Sequence, residues 1–144
     1  MPYLHKLSAL RVGLYPLYIG TFLITGLASL LISYLPFRWL SLLLGDSSTH
    51  RLSEPTVRQL HWIAKISLAV HRIAKYTPWR CKCFEQGLTA KVLLQLDGIK
   101  STLVFGVAYD EDVQLLAHAW LKCGSVVVTG ESGADQFKEI AVFT

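Results

Sequence analysis

The chain lacks the sequence motifs of several common functional classes. It contains no glycine-rich phosphate-binding loop and no His-Glu-x-x-His metal motif. It has no pair of carboxylates at a spacing that suits acid–base catalysis, and its second half has no basic patch interleaved with stacking aromatics. Nucleotide hydrolysis and zinc proteolysis are therefore not indicated, and we expect no nucleic-acid partner. The reactive groups that remain are three cysteines and five histidines.

Cysteines are few and odd in number. Cys81 and Cys83 are separated by one residue, and Cys123 follows much later. This arrangement argues against a disulfide scaffold and for a reducing compartment. A zinc site made of the three cysteines and His118 is disfavoured, because paired zinc ligands usually have two to four residues between them. We therefore predict no metal and no cofactor.

Charge is missing from residues 12–37. A stretch of about 20 apolar residues crosses a bilayer, so this run is long enough to span a membrane or to lie on one. Tyr15, Tyr18 and Tyr34 lie near its ends, where membrane interfaces favour aromatic side chains. The alternative is a hydrophobic helix packed on its own domain or on a partner. We favour membrane contact through this run.

Charge also divides the chain into two parts. The first 80 residues carry nine Lys or Arg and two acidic residues, whereas the remainder carries five and eight. A short second apolar helix over residues 35–45 should end at Gly45, and the polar residues 46–50 follow it. We therefore predict a membrane-associated helical segment at 1–45 and a functional domain at 46–144. Thiol chemistry and the basic helix that follows favour the cytoplasmic face.

The basic helix is predicted to begin at the capping signal Ser53-Glu54-Pro55 and to continue to about Tyr76. Its apolar residues form a main row and a second row that widens it: Val57, Leu60, Ala64 and Leu68, and then Ile63, Ile66, Val70 and Ile73. His61 and His71 lie ten residues apart on this helix, which is not a metal-ligand spacing. We interpret both histidines as structural or surface residues.

The stretch after Pro78 places a thiol where another helix should begin. Apolar residues recur every four positions, and a glycine then offers a left-handed stop: Phe84, Leu88, Val92 and Gly98. Cys83 therefore lies in or next to the first helical turn. Unpaired N–H groups and the positive end of the helix dipole favour a thiolate there, and an ionised cysteine is a strong nucleophile. Cys81 lies outside the helix and should point elsewhere.

The base for this nucleophile is predicted at His118. The run around it alternates as a strand does, with His118, Trp120 and Lys122 on one face. Cys123 falls on the other face and is interpreted as buried structure. Trp120 either forms a wall of the site or only packs in the core.

Further strands are predicted on both sides of this one. They cover Ser101–Tyr109, with Gly106 marking a bulge or a close backbone approach, then Ser125–Thr129 and Phe137–Phe143. Helices followed by antiparallel strands define the α+β class.

Several blocks of the sequence together carry a family resemblance: Pro78-Trp79, Cys83-Phe84, Gln86, Leu88, Leu94, Gly98-Ile99, Leu103, Gly106-Val107 and His118-Ala119-Trp120. With these blocks the chain resembles the leader peptidase of lasso peptide biosynthesis, a transglutaminase-like cysteine protease of the microcin-processing type. The resemblance implies a papain/transglutaminase-like fold, in which the nucleophile lies at a helix N-terminus packed on an antiparallel sheet. It also implies that Cys83 attacks the bond between leader and core peptide and that His118 is the general base.

The sequence departs from the family pattern at the third catalytic position. The family usually has an aspartate about a dozen residues after the histidine, where it orients the imidazole. Here that neighbourhood reads Val128-Thr129-Gly130-Glu131-Ser132. Glu131 is the nearest acid and is predicted to orient His118, since a glutamate can hold an imidazole tautomer as an aspartate does. Asp135 is the alternative.

The resemblance also implies partners. No separate leader-recognition domain is predicted in the chain, so by similarity to split systems a small leader-binding protein should present the precursor peptide. An asparagine-synthetase-like cyclase should then close the ring of the product. The competing interpretation is a non-catalytic transglutaminase-like module that binds peptide or assembles with the cyclase, and the missing aspartate would be its sign.

Overall fold

The structure, a computed structural model, describes residues 14–47 and 52–144. Within these residues, helices precede a four-stranded antiparallel sheet, which confirms the predicted α+β class. The helices are α1 (Tyr15–Tyr34), α2 (Phe37–Leu44), α3 (Val57–Ala74) and α4 (Cys83–Leu96), and the strands are β1 (Thr102–Tyr109), β2 (Leu115–Cys123), β3 (Val126–Thr129) and β4 (Lys138–Phe143). A short 3-10 turn, Ala134–Gln136, precedes β4.

The sheet has the strand order β3-β2-β1-β4, and each neighbouring pair is antiparallel. Gly106 of β1 lies opposite His118 of β2. The register between β1 and β4 shifts between Phe105 and Gly106, which confirms the predicted bulge. A Cβ atom at Gly106 would lie 2.8 Å from the ring of Trp120, so glycine is what lets the indole pack this closely behind His118.

Helix α4 lies at the centre of the hydrophobic core. Its Leu94 is fully buried and belongs to the same cluster as Leu103 and Leu121 of the sheet and Ile66 of α3. Burying one such side chain stabilises the fold by about 2 kcal/mol, so the packing of α4 also fixes the place of its first residue. The helix is followed by Gly98 with φ +70°, the left-handed stop that the sequence predicts.

Helix α3 starts later than predicted. Its N-cap is Thr56, whose Oγ1 accepts a hydrogen bond from the Gln59 N–H at 3.3 Å while the Gln59 side chain accepts one from the Thr56 N–H at 2.9 Å. The predicted cap at Ser53-Glu54-Pro55 is therefore wrong, because this reciprocal pair satisfies the helix end. Glu54 instead accepts hydrogen bonds from the N–H (3.2 Å) and hydroxyl (2.7 Å) of Ser125, in the turn between β2 and β3.

The buried face of α3 also differs from the predicted one. Ile63, Ile66 and Val70 are buried, whereas Val57 and Leu68 of the predicted main row are exposed. Both rows are apolar, so hydrophobic periodicity alone does not choose between them. The choice is made by α1 and α4, which pack against α3 on the side of the second row.

Helix α1 is more polar on its protein-facing side than on its outward side. Thr21, Thr25 and Ser29 are buried, and both threonine hydroxyls donate to main-chain oxygens of the same helix. The outward side chains are large, apolar and 56–64% exposed: Ile19, Leu23, Leu27 and Leu30. By length and composition α1 is able to cross a membrane, although a soluble protein's core helix passes the same test. Residues 12 and 13 of the predicted apolar run lie outside the described part.

The predicted domain boundary after residue 45 is not a boundary of the hydrophobic core. Leu17, Ala28 and Leu44, which precede it, belong to the same buried cluster as Leu94, which follows it. Small side chains on α1 let α3 and α4 come close, so packing joins this segment to the domain. Residues 48–50 of the predicted linker lie outside the described part.

Trp79 connects α1 to the segment that leads into α4. Its ring centroid lies 4.7 Å from that of Phe22, and a Cβ atom at Gly26 would lie 3.1 Å from the indole. The glycine therefore provides the space in which the indole rests on α1. This contact is made four residues before Cys83 in the chain.

Candidate active site

Cys83 is the first residue of α4, as the sequence predicts, and its N-cap is Lys82. The main-chain N–H of Lys82 donates to Glu85 Oε2 at 3.1 Å, so the helix start is closed by the side chain of its third residue. Glu85 is 1% exposed, and its Oε1 lies 3.2 Å from Arg80 Nε. The positive charge of Arg80, three residues before Cys83 in the chain, is therefore compensated by a buried carboxylate.

The other two cysteines have environments that keep them protonated. Burial, with a smaller contribution from the negative charge of Glu85, raises the pKa of Cys81 to about 11. Burial also raises the pKa of Cys123 to about 11, although Lys91 acts in the opposite direction. Both are therefore thiols at neutral pH, and the buried position of Cys123 agrees with its interpretation as structure.

His118 lies on β2 with its imidazole fixed by a main-chain oxygen. Its Nε2 lies 2.8 Å from the carbonyl oxygen of Gly130. A carbonyl only accepts hydrogen bonds, so Nε2 carries the proton and the lone pair of the neutral ring is on Nδ1. The ring stacks on Trp120 with centroids 5.9 Å apart and lies 5.0 Å from the Phe137 ring. Trp120 is 5% exposed, so it both packs in the interior and supports the imidazole.

A glycine stands where the resemblance leads one to expect an aspartate. Gly130 follows His118 by twelve residues and has φ +76°. A Cβ atom there would clash with the carbonyl oxygen of Ala119 and lie 2.9 Å from Trp120 Cβ. The local backbone therefore leaves no room for a side chain, and the carbonyl of Gly130 holds the histidine itself.

The two acids proposed for the orienting role lie nearby but do not bond to the histidine. Glu131 and Asp135 are both exposed, and neither forms a hydrogen bond with His118 in this structure. Glu131 borders the same cavity as His118, whereas Asp135 lies in the 3-10 turn. The orienting role of Glu131 therefore stays a prediction.

Cys83 and His118 border one cavity of about 410 Å³. It lies between the start of α4, the C-terminal part of α3 and the end of β3. Its other walls come from α3, α4 and the β3 region: Ser67, His71, Gln86 and residues 127–132. A larger cavity of about 560 Å³, beside His61 and Trp62, has no cysteine in its lining.

His71 is the cavity residue that sequence reasoning missed. Its spacing from His61 carries no signal, and only the packing of α3 beside β3 brings it to the wall that faces the α4 start. The zinc set considered above does not assemble: among the described residues, no three or more His, Cys, Asp or Glu side chains are grouped as metal ligands.

A comparison with known families agrees with this architecture. The sequence profile of the transglutaminase-like superfamily matches residues 31–142, from the end of α1 to β4. The chain therefore belongs to the transglutaminase-like superfamily, and its fold is consistent with a cysteine-protease type of domain. Neither a curated protein nor a solved structure matches the chain.

Proposed function

We propose that this protein is a cysteine peptidase that removes the leader from a ribosomally made lasso peptide precursor, with Cys83 as nucleophile and His118 as general base. The observation that carries the proposal is the common cavity of Cys83, at a helix N-terminus, and His118, whose tautomer is fixed. Membership of the transglutaminase-like superfamily supports it, since that class uses a cysteine and a histidine from different elements. The lasso precursor as substrate rests on the resemblance of the sequence blocks.

In the first half of the reaction, the Cys83 thiolate attacks the carbonyl carbon of the scissile peptide bond. The oxyanion of the tetrahedral intermediate is held by main-chain N–H groups at the α4 start, which have no partner within the helix. His118, protonated by the thiol, gives its proton to the leaving amine, and the C–N bond breaks. The leader remains on Cys83 as a thioester, which water then hydrolyses.

The orientation of His118 has two proposed sources. The Gly130 carbonyl fixes the ring in this structure, and Glu131, at the rim of the same cavity, is proposed to take this role when peptide is bound. A carboxylate also stabilises the imidazolium, which a neutral carbonyl does less well. A smaller loss of activity in Glu131→Gln than in His118→Ala would support this role, whereas an unaffected rate would redirect attention to Asp135.

The test of the proposed activity is cleavage of a synthetic leader–core peptide, analysed by mass spectrometry with the leader-binding partner present. Wild type should cut at one bond and Cys83→Ala should not, because neither of the other two cysteines borders the cavity and burial raises the pKa of both to about 11. Cys81→Ala is the matched control and should retain cleavage. Cleavage by Cys83→Ala, or its loss in Cys81→Ala, would contradict the assignment.

The second candidate is a non-catalytic module that binds peptide or assembles with the cyclase. One observation favours it: His118 has a carbonyl partner and no carboxylate partner. Iodoacetamide near neutral pH separates the candidates, because an activated thiolate reacts where a structural thiol does not. Rapid alkylation of Cys83 supports the peptidase, and slow alkylation supports the module.

The proposed partners are a precursor peptide, a small leader-binding protein that presents it and an asparagine-synthetase-like cyclase that follows. We further propose that α1 associates the enzyme with the cytoplasmic face of a membrane. The outward apolar side chains and the absence of acidic residues before Asp46 support this, because anionic lipid attracts basic, apolar surfaces. Flotation with anionic vesicles tests it: wild type should float and Leu23→Glu/Leu27→Glu should float less. Equal flotation would favour α1 as an ordinary core helix.

A further inference from the structure

The cavity that holds Cys83 and His118 has a second histidine in its wall. His71 lies on α3 and is exposed, whereas His61, ten residues earlier on the same helix, borders a different cavity. The chain therefore provides two histidines on one helix, of which only one lies at the proposed site.

Helix α3 is fixed to the site by a direct hydrogen bond. The hydroxyl of Ser67 donates to the carbonyl oxygen of Val128 at 2.7 Å, which ties α3 to β3. Gly130, whose carbonyl holds His118, follows Val128 by two residues, and His71 follows Ser67 by one helical turn. The segments that hold His71 and His118 are therefore hydrogen-bonded to each other, so the fold sets the separation of the two imidazole rings.

The ring of His71 is oriented with a free lone pair. Its Nδ1 lies 2.7 Å from the carbonyl oxygen of Ser67, so Nδ1 carries the proton of the neutral ring. Nε2 then has the lone pair, and no described residue donates a hydrogen bond to it. His118 has the opposite tautomer, with its proton on Nε2 and its lone pair on Nδ1. The cavity thus offers two distinct nitrogen bases.

We infer that His71 is a second catalytic base, which activates the water that hydrolyses the thioester on Cys83. This inference rests on the proposed function of the site. The water oxygen bonds to the thioester carbonyl carbon while its proton passes to His71 Nε2. The C–S bond then breaks, the acyl group leaves as a carboxylic acid, and the proton on His71 passes through water to the Cys83 thiolate, which restores the starting enzyme. His118 serves as base and then acid in the first half of the reaction, and His71 supplies the base for the second half from the α3 side of the cavity.

The experiment separates the two halves with a small activated ester, 4-nitrophenyl acetate, on the full chain. Acetylation of Cys83 releases one equivalent of nitrophenolate as a burst, and hydrolysis of the acetyl thioester sets the steady rate. His71→Asn should keep the burst and lower the steady rate about a hundredfold, the usual size of one general-base contribution. Intact-mass measurement should then show acetylated Cys83 accumulating.

His61→Asn is the matched control, since it changes the same residue type on the same helix but at another cavity, and it should behave as wild type. Asparagine can still donate to the Ser67 carbonyl, and a thermal melt like that of wild type shows that His71→Asn is folded. A steady rate in His71→Asn equal to that of wild type would overturn the inference. Loss of the burst in a folded His71→Asn would also overturn it, because His71 would then act in acylation.

Failure of the proposed function gives a different result. If the wild-type burst is missing, or if it persists in Cys83→Ala, the site is not a thiol hydrolase and both conclusions fall. If the burst depends on Cys83 and the His71 effect is found, the inference stands even when the leader–core peptide is not cleaved.

Discussion

Cys83 and Cys123 both have basic neighbours, but they differ in burial and in access to a cavity, and these two properties decide reactivity. Cys83 is half-buried at the first residue of α4, on a cavity shared with His118. Cys123 is 1% exposed in the core, where Lys91 acts on its charge. Burial raises the pKa of Cys123 to about 11 and lowers the pKa of Lys91, so loss of water outweighs the attraction within the pair. A basic neighbour is therefore not sufficient to make a reactive cysteine.

Cys81 lies close to Cys83 in the chain, but its environment keeps the thiol protonated, as that of Cys123 does. It lies two residues from Cys83, but it is outside the helix and near the buried carboxylate of Glu85. Burial and this negative charge both oppose its ionisation. The start of α4 therefore separates a thiol that has access to the cavity from one that is held protonated.

The largest expected effect comes from exchanging the two compared cysteines for alanine. Cys83→Ala should lower peptide cleavage by at least about a thousandfold, since loss of the nucleophile leaves only binding and oxyanion contributions. Cys123→Ala should leave cleavage nearly unchanged and lower the free energy of unfolding by about 1 kcal/mol, because it opens a small space in the core. Cleavage rates and urea unfolding measure both. A catalytic defect in a stable Cys123→Ala protein would contradict the comparison.

The next effect concerns the support of His118. Gly130→Ala should lower the free energy of unfolding by more than about 1 kcal/mol and reduce activity, because the added Cβ meets the Ala119 carbonyl and displaces the acceptor of the imidazole. Gly133→Ala is the matched control, since its φ is +78° but a Cβ there meets nothing within 4 Å. It should lose stability through backbone strain and keep its activity. Equal activity losses in the two variants would contradict a role for the Gly130 carbonyl.

Introducing the aspartate of the family pattern gives a related prediction. Gly130→Asp should fail to raise activity above that of the parent, because its Cβ has the same clash as alanine. The measurement is kcat/KM with the leader–core peptide. A gain in activity would show that the loop after β3 adapts to a carboxylate at this position.

A smaller effect is expected from the buried carboxylate. Glu85→Gln should lower the pKa of Cys81 only in part, because burial is the larger cause of the rise and remains in place. Alkylation of Cys81 at pH 9 by iodoacetamide should then be severalfold faster than in the parent, measured in a Cys83→Ala background. An unchanged alkylation rate would show that the carboxylate does not act on this thiol.

The smallest expected effect is on the pH dependence of stability. The pKa of Cys123 rises from an ordinary value of 9.0 to about 11 on folding, so between these values the unfolded thiol ionises first. Its contribution to stability is complete below pH 9.0 and is lost as the pH rises to about 11. Lys91, whose pKa is lowered, acts in the opposite sense, but it is present in both wild type and Cys123→Ala. The stability difference between the two proteins should therefore shrink over this interval in urea titrations.

Local signals in the sequence were enough to predict the elements that carry the site. Cys83 starts α4 because apolar residues recur every four positions after it, and Gly98 ends the helix. His118 lies on a strand because the residues around it alternate between two faces. These features depend on neighbours a few residues away, which is what periodicity reports. The bulge at Gly106 was predicted from another local signal, a glycine inside a strand pattern.

Features that depend on tertiary packing were predicted less well. The buried row of α3 at Ile63 and Ile66 follows from what packs against the helix, whereas its cap is the local pair of Thr56 and Gln59, a signal that the sequence contained and the prediction missed. His71 reaches the cavity because α3 packs beside β3, where Ser67 bonds to Val128. The hydrogen-bond partner of His118 is the main-chain oxygen of Gly130. A search of the sequence for acidic side chains does not reveal a main-chain partner.

The two sides of helix α1 determine how a more soluble variant of the protein should be made. Its outward leucines would hold it to a lipid surface, while its inner side supports Trp79, close in the chain to the thiol. The same helix thus makes the proposed membrane contact and supports Trp79. Removing residues 1–45 would remove both, whereas exchanging the outward leucines for polar residues would remove only the proposed membrane contact.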